Sequence, residues 1–250
     1  MTILLSATNV EKTFRQGADE NTVLDGVSMD LHQGEFVAIM GPSGSGKSTL
    51  LYCVSGMDTL DAGEVTLGET RINGLTEDER TVLRGERMGF VFQDPNLLEA
   101  INVLDNIMLA ASLEGSTPSD VLERRARELM RVTGIAGLED RGINEISGGQ
   151  RQRVSLCRAL LHTPDVLFGD EPTGALNSKS SAEIIELLRA FNADGMTMLI
   201  VTHDARVAAH STRVLFLSDG QIVHEMLLGP EDPLHQREQL VMDTMTRLDM

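Results

Sequence analysis

Tryptophan is absent from the 250 residues, tyrosine occurs once and phenylalanine only seven times. Since 41% of the chain is still hydrophobic, a sizeable core is available, but it must be built from Leu, Ile, Val, Met and Ala. Long apolar runs are missing as well. The longest, such as Met196 to Val201, have strand length and fall well short of the ~18 residues that cross a bilayer. The opening residues Met1-Thr2-Ile3-Leu4-Leu5-Ser6 carry neither a basic region nor an extended apolar stretch, so no secretory signal is expected. Positive charge is scarce: 21 Lys and Arg stand against 38 Asp and Glu, a net charge of −17. Such a surface disfavours nucleic acid and direct contact with an anionic leaflet, and leaves docking on a membrane protein through a small local patch. The two cysteines, Cys53 and Cys157, fall in separate expected helices without metal-ligand spacing. They read as buried free thiols in a reducing compartment, and a cytoplasmic location is expected.

One stretch dominates what is present: Gly41-Pro42-Ser43-Gly44-Ser45-Gly46-Lys47-Ser48, followed by Thr49. It matches the phosphate-loop pattern G-x-x-x-x-G-K-[ST]. The apolar segment Glu35 to Met40 before it reads as a strand, and Thr49 to Val54 after it as the first turns of a helix. Glycines let successive backbone N–H groups turn inward around an anion, and the new helix points its positive end at the same place. Lys47 is placed to reach the β- and γ-phosphates and Ser48 to put its hydroxyl on Mg²⁺. The blander reading is a glycine-rich turn without a ligand, and the full pattern would arise by accident in roughly 1 in 100 chains of this length. The strand-then-helix setting favours the nucleotide.

Around this loop the chain reads as an α/β protein. Leu4 to Val10 and Thr22 to Leu31 are expected strands, the second with Val27, Met29 and Leu31 alternating, and the polar Arg15 to Glu20 between them reads as a loop. Phe14 beside that loop could be core or could stack on a base. Gly63 to Leu67 and Thr70 to Gly74 suggest a hairpin, Thr76 to Arg87 a helix, and Met88 to Phe92 a buried strand ending at Gln93. From Asp94 to about Arg141 the pattern turns helical. Leu104, Ile107, Met108 and Ala111 recur at helical spacing, and Pro118 to Val132 has an apolar face bearing Val121, Leu122, Leu129 and Met130. Ser147 to Leu160 reads as another helix, Val166 to Gly169 as a buried strand, Ser178 to Ala193 as a helix and Met196 to Thr202 as a strand. Val207 to Ala209 begins a short helix. Val214 to Leu217 and Gln221 to His224 form a hairpin around Asp219-Gly220. One α/β domain over residues 1–228, with a helical insert at about 95–142, and a tail over 229–250 that is helical near its end are the expected divisions. There is no internal repeat and no low-complexity tract.

Several residues at strand ends fit phosphate chemistry. Asp170 and Glu171 follow an apolar strand, where α/β sheets place their ligands. One carboxylate can hold Mg²⁺ through its water shell while the next polarises the water that attacks the γ-phosphate. Two surface acids in a turn would be the ordinary reading without a phosphate loop upstream. Gln93 ends its own strand and can touch the metal or the attacking water. His203 ends another, at the γ-phosphate end. Alone, the glutamine would pass for solvated and the histidine for structural. Ser147-Gly148-Gly149-Gln150 is a second glycine turn opening a helix, again able to bind phosphate oxygens. One nucleotide cannot easily use two cradles so far apart in the chain.

In that order, over residues 3 to 225, these motifs resemble the nucleotide-binding subunit of an ABC transporter. Gly41 to Thr49 is similar to its Walker A loop, Gln93 to the Q-loop glutamine, and Ile146 to Gln150 to the LSGGQ signature with Ile for the first Leu. Val166 to Glu171 resembles Walker B plus the catalytic glutamate, His203 the switch histidine, and Phe14 the base-stacking aromatic. The resemblance implies a P-loop NTPase fold: a RecA-like core of mixed sheet and flanking helices, an N-terminal antiparallel β subdomain and an inserted α-helical subdomain. It implies ATP and Mg²⁺ as ligands, with Ser48, Gln93 and Asp170 toward the metal. It also implies a head-to-tail homodimer, the signature of one copy closing over the nucleotide on the other. Gly174-Ala175-Leu176-Asn177 departs from the family's S-A-L-D. Either communication between the two sites is altered, or Asn177 suffices because it keeps hydrogen bonding; the intact remaining motifs favour the second. Gly41 to Leu51, Phe90 to Gln93 and Asp170 to Ser178 resemble the branch serving macrolide export, lipoprotein release and bacitracin-type peptide resistance. A separate membrane permease is the implied partner, docking near residues 94–108 through Leu97, Leu98 and Ile101 and holding the protein on the inner face of the membrane. The rivals are an ATP-dependent clamp with little hydrolysis, which intact Glu171 and His203 oppose, and a soluble ABC ATPase acting on nucleic acid, which the acidic charge and single cassette oppose.

Overall fold

A computed structural model describes residues 2–16, 19–114, 117–229 and 231–250. The chain opens with strands β1 (Ile3–Gln16), β2 (Asp19–His32) and β3 (Phe36–Met40), then helix α1 (Lys47–Val54) and strands β4 (Ala62–Leu67) and β5 (Thr70–Arg71). Helix α2 (Glu77–Arg87) leads to β6 (Met88–Phe92), α3 (Val103–Glu114), α4 (Ser119–Val132), α5 (Gly148–Leu160), β7 (Val166–Asp170) and α6 (Ser178–Ala193). Last come β8 (Thr197–Val201), α7 (Ala205–Ala208), β9 (Arg213–Ser218), β10 (Gln221–Leu227) and α8 (Leu234–Arg247). The contacts divide these elements into two units, Met1–Arg80 with Asn192–Met250, and Thr81–Phe191.

The first unit holds an antiparallel sheet in the order β2-β1-β4-β5 and a mixed one in which β3 lies between β8 and β9, parallel to both, with β10 antiparallel to β9. All five residues of β3 and of β8 are buried. Their unbroken apolar runs are what a parallel strand covered on both faces requires. On β2, by contrast, Val27, Met29 and Leu31 are buried at alternate positions, with Leu24 buried before them. The stretch expected to be a loop at Arg15 to Glu20 is strand instead. Arg15 pairs with Glu20 and Gln16 with Asp19, and the Arg15–Glu20 ion pair spans 2.9 Å. Arg15 and Glu20 are polar and exposed and leave no apolar alternation to read, which is why the stretch looks like a loop. Gly17 and Ala18 lie outside the described residues. Helix α8 covers the far end of the mixed sheet: Val241 is fully buried against Ala38, Val214 and Phe216, with Met245, Leu248 and Met250 packed around it.

Within the second unit β6 and β7 pair in parallel from Met88 opposite Val166 to Phe92 opposite Asp170. Helix α4 buries Leu122, Ala126, Leu129 and Met130, an i, i+4, i+7, i+8 stripe, and leaves Val121 at its exposed margin. Among the described residues no helix is long and apolar enough to cross a membrane.

Candidate functional site

Strand β3 ends at Met40, and the chain turns at Gly41, where a Cβ would lie 2.0 Å from the Leu217 carbonyl oxygen. Gly46 has φ +101°, and a Cβ there would meet the Val23 oxygen at 2.7 Å. Gly44 is different: its φ is +81°, but nothing lies within 4 Å of where its Cβ would stand. Two of the glycines are therefore demanded by the protein's own packing, and the third keeps open the space an anion would enter. Pro42, Ser43 and Gly44 are exposed at the tip, while Ser45 is buried. Helix α1 begins behind Gly46 with no side-chain cap, so its first N–H groups point to that space with the positive end of the helix. The Lys47 ammonium folds over the loop and donates to the carbonyls of Gly41 (3.0 Å) and Pro42 (2.7 Å). The Ser45 hydroxyl is buried and has no hydrogen-bond partner among the described residues. A phosphate oxygen would supply one, so the loop's own geometry fits the triphosphate. Ser48 and Thr49 lie half-buried in the first turn of α1. The β9–β10 turn at Asp219 (φ +48°) and Gly220 (φ +75°) braces the loop, the Gly220 N–H donating to the Ser45 carbonyl at 3.2 Å.

Two further expected residues share this unit. Strands β3 and β8 run parallel with Ile39 beside Val201, and the Thr202 N–H donates to the Ile39 carbonyl. The exposed His203 thus leaves the same sheet edge as the phosphate loop. Asp204 behind it caps α7 through the Arg206 N–H at 2.9 Å. Burial opposes ionisation of Asp204, but the Arg206 guanidinium and backbone N–H hold its carboxyl below the usual range. Phe14 is on β1 and 47% exposed, so it is not a core residue.

In the second unit Gln93 and Asp170 leave the adjacent ends of β6 and β7. The Gln93 side chain lies against the turn at Gly174, where a Cβ would come within 3.2 Å of its amide. Glu171 has φ +50° and precedes Pro172, a strained backbone costing roughly 1–3 kcal/mol of the kind that gathers at functional positions. The Gly174 N–H donates to the Glu171 carbonyl at 3.0 Å and closes that turn. Asn177 caps α6: its Oδ1 accepts from the Ser180 N–H at 2.9 Å, a bond an aspartate could accept equally. Ser147 caps α5 in a reciprocal box with Gln150, the Ser147 N–H donating to Gln150 Oε1 at 2.8 Å and the Gln150 N–H to Ser147 Oγ at 3.3 Å. That arrangement leaves the Gly148 and Gly149 N–H groups without intrahelical acceptors. A side chain at Gly149 would strike the Ser180 hydroxyl at 2.7 Å, so the glycine permits α5 and α6 to meet at this corner.

Other residues here carry weight that the sequence did not signal. Asn106 is fully buried. Its amide donates to the carbonyls of Leu98, Ile101 and Asn102, and its Oδ1 accepts from the Leu98 N–H at 2.7 Å. Arg158 donates to the carbonyls of Pro95 (2.7 Å) and Asn96 (2.9 Å), and burial lowers its pKa. Together they fix the path of the chain after Gln93. A cleft of about 640 Å³ is lined there by Gln93, Pro95, Leu97, Gly148, Arg151 and Leu176, and Leu98 stands 49% exposed nearby. An asparagine or arginine in a polar stretch has no sequence signature for such a clamp. Among the described residues no three His, Cys, Asp or Glu side chains gather as a metal cluster. Mg²⁺ bound by a hydroxyl, one carboxylate, water and phosphate oxygens needs none.

The ABC transporter family profile matches residues 24–174. The bacitracin export ATP-binding protein BceA of Halalkalibacterium halodurans is 39% identical over 229 residues, covering 91% of this chain and 90% of that protein. The macrolide export ATP-binding/permease protein MacB of Mannheimia succiniciproducens is 38% identical over 227 residues, which are 91% of this chain but 35% of that longer one. Among solved structures, the dimeric post-hydrolysis state of the ATP-binding cassette MJ0796 bound to ADP and Pi matches with a TM-score of 0.83 at 37% identity. It covers 90% of this chain and 99% of the other. MJ0796 comes from Methanocaldococcus jannaschii.

Proposed function

The chain belongs to the ABC transporter family, as one of its ATP-binding, ATP-hydrolysing subunits, and from that premise we propose that two copies close head to tail over two ATP molecules with Mg²⁺ to drive a separate membrane permease. The observation that carries this reading is the pair of phosphate cradles built differently in one chain. The first is an uncapped helix N-terminus behind a glycine loop, with a buried hydroxyl lacking a partner. The second is the exposed Ser147-Gly148 turn whose helix is already capped by its own side chains. A site that surrounds a triphosphate needs the first; a surface that closes over it from outside needs the second.

ATP supplies the phosphoryl group to be transferred, and Mg²⁺ neutralises charge on its oxygens. Lys47 exchanges its loop carbonyls for the β- and γ-phosphates. Ser48, Asp170 and Gln93 provide oxygen donors toward the metal. Glu171, held at a strained φ, orients and polarises the attacking water, and His203 steadies the γ-phosphate end. Phe14 offers its exposed face to the base. The partner's Ser147, Gly148, Gly149 and Gln150 complete the cradle. The relatives named for bacitracin and macrolide export support a permease system of export or peptide resistance. A permease segment docking in the cleft beside Gln93, against Leu97 and Leu98, would couple its motion to Gln93, and this keeps the protein on the cytoplasmic face of the membrane.

The test is Glu171→Gln in the purified chain. Hydrolysis should fall by at least a hundredfold, the scale of ~2.7 kcal/mol or more for a group acting on the attacking water. Light scattering should show a dimer that requires ATP, and adding Ser147→Arg should keep the chain monomeric while ATP still binds. A Glu171→Gln chain that stays monomeric at saturating ATP refutes the sandwich. Replacing Leu97 and Leu98 by Asp should abolish co-purification with the permease and spare nucleotide binding; a surviving complex refutes the docking site.

A further inference from the structure

Lys12 is only 7% exposed, and a buried ammonium must be paired to be tolerated. Its Nζ donates to Asp58 Oδ1 at 2.8 Å and to the Thr59 carbonyl at 2.7 Å. The same Nζ stands 5.2 Å from the centroid of the Phe14 ring, within cation–π range. Since Lys12 is buried and Phe14 is 47% exposed, the ammonium occupies the inner side of the ring and the outer face is left to solvent.

The backbone here is unusual too. The β1–β2 register shifts between Val10 and Lys12 and again between Lys12 and Thr13, and the β1–β4 register shifts between Thr8 and Glu11. Bulges of this kind re-aim the side chains beyond them. This one is held in place by the turn after α1: the Asp61 N–H donates to the Glu11 carbonyl at 2.9 Å, and the Thr13 N–H donates to Asp61 Oδ2 at 2.6 Å. Four hydrogen bonds thus run from residues 58–61 to residues 11–13, one step before Phe14. The turn they start from directly follows the helix whose N-terminus forms the phosphate loop.

We infer that Lys12, with Asp61, is a positioning residue for the nucleotide base: the 58–61 turn sets the Phe14 ring at a fixed place relative to the phosphate-loop helix, so that a nucleoside triphosphate meets its base platform and phosphate cradle in register. The inference rests on the reading of Phe14 as the base-stacking surface. The partners of Lys12 and Asp61 named above all lie outside the phosphate loop, so their effect should appear in the base's share of the affinity and not in that of the triphosphate.

Affinities for Mg-ATP and for inorganic Mg-tripolyphosphate, measured by calorimetry on the same variants, separate the possibilities. Phe14→Ala should weaken ATP about tenfold or more, the scale of a lost base–aromatic stack, and leave tripolyphosphate within about twofold. Lys12→Met and Asp61→Ala should each weaken ATP about three- to tenfold with tripolyphosphate again within about twofold. Asp61→Ala keeps the cation and frees only the bulge, and it carries the test alone if Lys12→Met does not fold. Equal loss for both ligands, or no loss for either, in the folded Lys12 and Asp61 variants overturns the inference. Unchanged ATP affinity in Phe14→Ala overturns the base-platform reading beneath it.

Discussion

Alanine at Gly44 and at Gly41 should damage the protein in opposite ways. At Gly44 the backbone has φ +81° and a Cβ meets nothing within 4 Å. The cost without nucleotide is then the left-handed strain alone, about 1–2 kcal/mol, or a fall in Tm of about 2–8 °C for a chain of this size. At Gly41 the Cβ would sit 2.0 Å from the Leu217 backbone oxygen, well inside the 3.0 Å that real contacts respect. That oxygen belongs to β9 beside the central strand, so relief requires the loop or the sheet to move. Overpacking against backbone costs about 3 kcal/mol or more, a fall of about 6–12 °C. ATP reverses the ranking of interest. At a hundred times Kd the unaltered chain gains about 2.7 kcal/mol from ligand, about 5–11 °C. Gly44→Ala should lose most of that gain, because its methyl occupies the open cradle. Thermal melts of both variants with and without Mg-ATP give all four values. A Gly44→Ala chain with the full ATP-induced rise, or a Gly41→Ala chain melting as high as Gly44→Ala, refutes the division between packing glycine and cradle glycine.

Arg213 joins Glu35 at 2.7 and 3.0 Å, Glu225 at 3.3 Å and the Asp30 carbonyl, and is 8% exposed. Arg213→Met should cost about 3–5 kcal/mol in urea unfolding because the Glu35 carboxylate, its side chain only 13% exposed, loses its cation; a loss under ~1 kcal/mol refutes that account. Burial pushes the Cys53 and Cys157 thiols up to about 12 from an ordinary 9.0, with Asp58 adding to the rise at Cys53. A raised folded pKa means that their contribution is complete below about 9 and lost as pH climbs from 9 toward 12. Native protein at pH 8 should label with a thiol reagent far more slowly than unfolded protein, and stability should fall across that alkaline window; fast native labelling contradicts both.

Period and glycine placement made the parallel core legible. The runs at Phe36 to Met40, Val166 to Gly169 and Met196 to Val201 could only be strands covered on both faces, and the helix at Ser178 to Ala193 begins and ends where its pattern does. The phosphate loop was legible because its glycines are forced by backbone sterics, which a sequence records directly. Residues whose role depends on burial were not. Lys12, Asn106 and Arg213 look like ordinary surface side chains, and only the fold shows that each is enclosed and that each holds several backbone or carboxylate oxygens. The strand ends at Arg15 and Glu20 failed for the converse reason: both residues are exposed, so nothing selects apolar side chains there.

The two helix N-termini also suit the proposed division between an open site and a closing surface. On α1 no side chain caps the helix, so a triphosphate would serve as its cap. On α5 the Ser147 hydroxyl already accepts from the Gln150 N–H, but at 3.3 Å, long beside the usual ~2.9 Å. The box thus caps only the Ser147 and Gln150 N–H groups, and the Gly148 and Gly149 N–H groups are left for a phosphate oxygen. In the proposed sandwich the signature would then bind phosphate only when a partner brings it already held. That asymmetry is what an ATP-gated dimer requires, since two equally avid cradles would load separately and never close on each other.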